Sequence, residues 1–133
     1  MTDRAFADTN IVIYAESQNP GKSEKAAAII AVNPVISSQV VNECVNTLTR
    51  KYGFLLLDAH EIALSLMTAC EVAPVNADTI KAAIKLCQRY SFSHWDSLIV
   101  AAALQADCTV LYSEDMQHGQ VIDDRLTVIN PFV

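Results

Sequence analysis

Four acidic residues stand at the ends of predicted elements, each beside an apolar run. They are Asp8 in Ala-Phe-Ala-Asp-Thr-Asn, Glu43 in Val-Val-Asn-Glu-Cys, Asp96 in His-Trp-Asp-Ser-Leu-Ile and Asp115 in Leu-Tyr-Ser-Glu-Asp. An ionised carboxylate at the edge of a core loses hydration that a cation or hydrogen bonds must replace. Four that converge would also repel one another, so a divalent ion held through oxygen is the natural compensation. Such an ion activates water and offsets charge on a phosphate ester, and no nucleophilic side chain is then required. The chain agrees: it offers no Ser-His-Asp arrangement, and His60, His94 and His118 read as surface or partly buried residues rather than catalysts.

Each acid also has an ordinary structural explanation. Asp8 can cap a helix starting near Ile11, and Glu43 can be an acid favoured by a helix dipole. Asp115 lies in a polar turn, where either Glu114 or Asp115 could be the functional acid. Ser93-x-x-Asp96 resembles a capping box. Asp96 says more than the others, because it shares a helical face with Ile99, Val100 and Ala103. That face belongs to a core, which puts the carboxylate at its rim. Thr9, Asn10, Ser97 and Ser113 are the neighbours expected to orient ligands or waters by hydrogen bonds.

The elements that must position these residues alternate between strand and helix. Arg4 to Ala7 suits a short buried strand, followed by helical pattern over Ile11–Ser17 and, after the Asn19-Pro20-Gly21 turn, over Lys22–Val32. Val35 and Ile36 read as a second strand. Ser37 or Ser38 then caps a helix with Val40, Val41, Cys44, Val45 and Leu48 at helical spacing. A helix is expected over Asp58–Cys70 with Leu64 and Met67 among its inward residues, then a strand over Val72–Val75. Another helix spans Asn76–Tyr90 with Ile80, Ala83, Ile84 and Cys87 on one side. Ser93–Gln105 is a strongly apolar helix, Cys108–Tyr112 a strand and Leu126–Ile129 a last one. This alternation predicts a three-layer α/β/α sandwich around a mostly parallel sheet of about five short strands, in one domain over residues 1–133.

Composition narrows the function. Hydrophobic residues are 52% and charged residues 18% of the 133, which excludes a disordered chain. The longest apolar run, Leu98 to Leu104, is too short to span a bilayer. The N-terminus lacks a secretion pattern, so a soluble cytoplasmic protein with no membrane partner is expected. Cys44, Cys70, Cys87 and Cys108 are scattered, without metal-ligand spacing, and read as reduced buried thiols. A net charge of −6 argues against a broadly basic nucleic-acid-coating surface. It leaves room for a nuclease, because bound divalent ions would offset part of it and Arg50, Lys51, Lys81, Lys85 and Arg89 could still meet a backbone.

The acids and their order resemble a PIN domain. Asp8-Thr-Asn after the first strand, Asn42-Glu43 in an early helix, Trp95-Asp96 opening a later helix and Ser113-x-Asp115 after a strand carry the resemblance over essentially the whole chain. It is greatest to the small VapC-type toxins of toxin–antitoxin pairs. The resemblance implies a Mg²⁺- or Mn²⁺-dependent endoribonuclease whose metal is held by Asp8, Glu43, Asp96 and Asp115. It further implies an RNA substrate, a homodimer and a cognate antitoxin that covers the site. Met116-Gln-His118-Gly-Gln stands where many relatives carry an acid or an aromatic residue, so the parts of Glu114 and His118 at the fourth corner stay open. Rival readings are an inactive PIN-like binding protein and a haloacid-dehalogenase-like phosphotransfer enzyme using Asp8. The latter favours an acid two residues on, where this chain has Asn10. A receiver domain fails for want of an acidic pair near the first strand.

Overall fold

Local sequence starts and stops most helices of this chain. In the computed structural model, which describes residues 3–133, β1 (Ala5–Ala7) passes through Asp8 directly into α1 (Thr9–Ala15). Asn19 caps α2 (Pro20–Ile30) with Pro20 at its first position, where the missing N–H is harmless. β2 (Val35–Ser37) leads at once into α3 (Ser38–Arg50), capped by the Ser37 hydroxyl accepting from the Val40 N–H. α4 (Leu56–Ala69) and β3 (Glu71–Ala73) follow. Asn76 and Thr79 form a reciprocal capping box on α5 (Ala77–Tyr90). Ser93 caps α6 (His94–Gln105), after which come β4 (Val110–Tyr112), β5 (Val121–Ile122) and β6 (Leu126–Ile129).

The strand order is β3-β2-β1-β4-β6-β5, parallel except for β5, which pairs antiparallel with β6. β1 is central, with Phe6 level with Val35 of β2 on one side and Leu111 of β4 on the other. α1 packs on α2 and α3, and α3 on α4, while α5 packs on α6. Because crossovers between parallel strands are right-handed as a rule, the reversal of direction after β3 puts these two groups on opposite faces of the sheet. The expected sandwich is therefore present, with six strands instead of about five. The extra strand, β5, is two residues long and carries too little pattern to be read from sequence. Phe6, Ile36, Leu111 and Val128 are wholly buried, and in α6 every residue from Ser97 to Leu104 is buried.

The inward faces of two helices differ from expectation. In α4 the core side is Ala59, Ala63 and Leu66, whereas Leu64 and Met67 are 65% and 47% exposed. In α5 it is Thr79, Ala83 and Leu86, with Ile80 and Ile84 facing out. Apolar residues occupy both sides of each helix, so helical spacing alone fits two faces. The alanine-bearing face wins because small side chains let helices approach closely against α3 and α6. Cys44, Cys70 and Cys108 are buried thiols, and Cys87 is half-buried.

Candidate active site

In an open parallel sheet, ligand sites form beyond the carboxyl ends of strands, where the order reverses. Here that point lies between β1 and β4, since the chain leaves β1 toward β2 and returns later on the other side. Asp8 ends β1 at this point and is only 6% exposed. Its carboxylate accepts the Thr9 N–H at 2.7 Å and the Ser113 hydroxyl at 2.8 Å. The Ser113 oxygen in turn accepts the Asp115 N–H at 3.2 Å. Asn10 bridges the same two strand ends. Its amide nitrogen lies 3.5 Å from Asp8 Oδ2 and donates to Asp115 Oδ2 at 3.1 Å, while its oxygen accepts the Glu114 N–H at 3.2 Å.

Glu43 and Asp96 come from the helices that open beside these strands. Asp96 sits in the first turn of α6 with its N–H donated to Ser93 at 3.1 Å. Its face-mates Ile99, Val100 and Ala103 are all buried, as their spacing requires. Gln39, one turn before Glu43, donates to Glu43 Oε1 at 2.6 Å and to the Trp95 carbonyl at 3.3 Å, which ties α3 to α6. Sequence reasoning overlooked Gln39. The signal was available in the four-residue spacing of Gln39 and Glu43 on one helix.

The electrostatics separate Asp8, Glu43 and Asp96 from ordinary surface carboxylates, whereas Asp115 is exposed. Burial pushes Asp8 up to about 6, against the lowering effect of Ser113 and Thr9, and the negative charges of Asp96 and Asp115 push it further. Glu43 is raised by burial and by Asp96, and lowered by Gln39. The Thr9 hydroxyl lies near enough to Glu43 to favour its ionised form, yet the buried Thr9 oxygen makes no hydrogen bond of ordinary geometry. Asp96 is raised by burial and by Asp115. Negative charge thus links Asp8 to Asp96 and Asp115, and Asp96 to Glu43 and Asp115, and among the described residues no lysine or arginine forms an ion pair with any of them.

Glu114, beside Asp115, behaves oppositely. It takes Lys22 Nζ at 2.5 Å and the Tyr14 hydroxyl at 2.7 Å, which hold it below the usual glutamate range. Ser97, expected to orient ligands, and His118, whose part was left open, are both engaged elsewhere. The Ser97 oxygen is engaged by the Cys87 thiol at 3.0 Å and makes no bond to the acids. His118 accepts the Asn130 N–H at 2.9 Å and so secures the C-terminal segment.

Three of the acids, Glu43, Asp96 and Asp115, open onto two cavities that share Asp115, while Asp8 lines neither. One, of about 300 Å³, carries Glu43, Tyr14, Lys51 and Tyr52 on its walls. The other, of about 340 Å³, carries Asp96, Tyr90, Phe92 and Gln117. Among the described residues no three His, Cys, Asp or Glu side chains are drawn tightly enough to grip an ion as they stand. The donor set nevertheless suits one kind of guest. It is oxygen only, anionic, uncompensated and accompanied by an orphaned buried hydroxyl, which fits a hard divalent cation rather than a soft metal.

Comparison with known proteins agrees with this architecture. A family model for the PIN domain matches residues 5–122. No curated protein matches. Among solved structures, a toxin–antitoxin complex from Klebsiella pneumoniae contains a chain 20% identical with a TM-score of 0.73, covering 96% of this chain and 97% of that one. The Mycobacterium tuberculosis VapC20, a toxin that cleaves the sarcin–ricin loop, is 20% identical with a TM-score of 0.65 over 84% of this chain and 89% of its own. FitAcB from Neisseria gonorrhoeae is 16% identical with a TM-score of 0.67 over 96% and 98%.

Proposed function

We propose that this chain, which belongs to the PIN-domain family, is a single-domain, metal-dependent endoribonuclease and the toxin of a toxin–antitoxin pair. The observation that carries the reading is the coupled quartet Asp8, Glu43, Asp96 and Asp115 at the topological switch point, which no lysine or arginine among the described residues pairs. A protein with no use for such a cluster would have every reason to neutralise it, as it has neutralised Glu114. Mg²⁺ or Mn²⁺ is the cofactor that this oxygen set would hold. When bound, the ion supplies Lewis-acid activation of water and positive charge opposite the phosphate.

The chain's own residues do the rest. Ser113 and the Thr9 N–H fix the Asp8 carboxylate, and Asn10 sets its distance from Asp115, so two acids from distant parts of the chain present a fixed pair of faces. Gln39 fixes Glu43 in the same way against the first turn of α6. The cavities on either side of Asp115 give a strand two directions in which to run past the acids. Lys51 in one of them can meet a phosphate.

Partners follow from the same reading. The solved relatives include a toxin–antitoxin complex, which supports a protein antitoxin over the acidic groove. The exposed side chains Leu55, Leu56, Leu57, Leu64 and Met67 support a homodimer through α4 and its approach. No helix among the described residues is long and apolar enough to cross a membrane, in keeping with a cytoplasmic enzyme.

The test is cleavage of end-labelled total RNA by purified protein with Mg²⁺, Mn²⁺ or a chelator, beside an Asp8→Asn/Asp96→Asn double variant. Discrete fragments that need metal and vanish in the variant are expected. Absence of cleavage by folded, antitoxin-free protein with either ion would sink the reading.

A further inference from the structure

The first turn of α6 carries an aromatic ring that lies largely outside the core. Trp95 is 65% exposed although it directly precedes Asp96. Its backbone is fixed, because its carbonyl accepts from the same Gln39 amide that holds Glu43. The ring itself is free: its aromatic neighbour is His94, which meets it edge-on at 5.4 Å and 73°. Of the other aromatic residues near the acids, Tyr52 is half-exposed on the wall of the Glu43 cavity with Lys51 Nζ 5.5 Å from its ring centroid, and the rest are occupied. Tyr90 and Phe92 stack on each other at 5.3 Å and 10°, with the Tyr90 hydroxyl bonded to Asp123. Tyr14 packs edge-on against Phe132 at 5.2 Å and lies under Lys22.

Resting on the nuclease reading, we propose that Trp95 is the base-stacking platform of the substrate site and that the substrate is an unpaired RNA segment. A nucleotide beside the cut would lay its base on the open indole face while its phosphate faces the acids. A chain of net charge −6 has little cationic surface to hold a phosphate backbone, so strand affinity beyond what a bound ion supplies at the cut falls to stacking, which does not depend on that charge. Stacking needs a base out of its duplex, which selects single-stranded or looped RNA.

Trp95 is the chain's single tryptophan, so its fluorescence reports directly on this site. Titrating a short oligouridylate into the wild-type protein with Ca²⁺ in place of Mg²⁺ should quench emission saturably, and an abasic strand of equal length should not. Trp95→Ala should lower kcat/KM on unpaired RNA by roughly 5- to 100-fold, equivalent to ~1–3 kcal/mol, while Trp95→Phe keeps most of it. Sedimentation and circular dichroism should be unchanged in both variants. If wild type cleaves RNA but Trp95→Ala cleaves equally well and no quench occurs, the stacking role is overturned and the nuclease stands. The stacking role is equally overturned if Trp95→Ala changes the oligomeric state, or if only a protein partner alters the emission. If wild type cleaves no RNA at all, the nuclease reading fails first.

Discussion

Two carboxylates that adjoin in sequence, Glu114 and Asp115, belong to opposite kinds of surroundings. At the Glu114 corner, Lys22 and Tyr14 answer the charge and lower its pKa, and Phe132 closes over Tyr14. At the Asp115 corner, Asn10 and Ser113 position the acids without cancelling their charge, and Asp8 is driven up to about 6 by burial and its acidic neighbours. The fold thus keeps one acid as a tie and withholds compensation from the next. On the proposed function, an acid's partners, not its proximity to the site, separate structural from functional use.

The contrast between the two corners breaks most easily in cleavage rates. Asp8→Asn or Asp96→Asn should reduce metal-dependent RNA cleavage by roughly three orders of magnitude or more, the scale of several kcal/mol of lost charge stabilisation. Glu114→Gln should stay within about tenfold of wild type. Equal losses at Glu114 and Asp115 in labelled-RNA assays would erase the distinction.

Metal should stabilise one corner alone. At an ion concentration about 100 times its dissociation constant, Mn²⁺ should raise the unfolding free energy by ~2.7 kcal/mol. This gain should survive Glu114→Gln and disappear in Asp8→Asn, as read by urea denaturation.

Without metal the two corners should respond oppositely to pH. Asp8 holds its proton more tightly folded than unfolded, so its ionisation opposes folding: the penalty is absent below the ordinary value of 3.8, grows toward about 6 and is constant above. Metal-free protein should therefore lose stability across that window, and Asp8→Asn should recover up to ~3 kcal/mol at neutral pH. Glu114, lowered in the fold, contributes above the usual glutamate range and loses that contribution as pH falls through its lowered native value. Glu114→Gln should thus bring a small loss of stability at neutral pH, the least of these effects. A rise in stability there would contradict the contrast.

What could be read from sequence was whatever local pattern encodes. A cap at Ser37 or Ser38 and another at Ser93, the buried run of α6, and the placement of Asp8 and Asp115 after strands all follow from neighbours within a few residues, whereas Asn76 proved to be a cap rather than the first helical residue. The roles of Glu114 and Ser97 did not. Lys22 reaches Glu114 across 92 residues, and no spacing rule announces such a meeting. Ser97 could have faced the acids, but the half-turn that buries Ile99 and Val100 sends its oxygen to Cys87 instead. On α4, apolar side chains on both faces left the orientation undetermined until α3 was packed against it.

The central pairing has a consequence in time. Ala5 lies level with Val110, and Ser113 reaches Asp8 across 105 residues. At ordinary rates of synthesis the ribosome needs about 5–20 s to make that intervening chain. Throughout that interval β1 exists without β4, Asp8 has no Ser113 and Asn10 has no Asp115. The arrangement proposed to be catalytic is thus among the last features a nascent chain can assemble, so on that proposal a stalled or prematurely ended polypeptide is released inert.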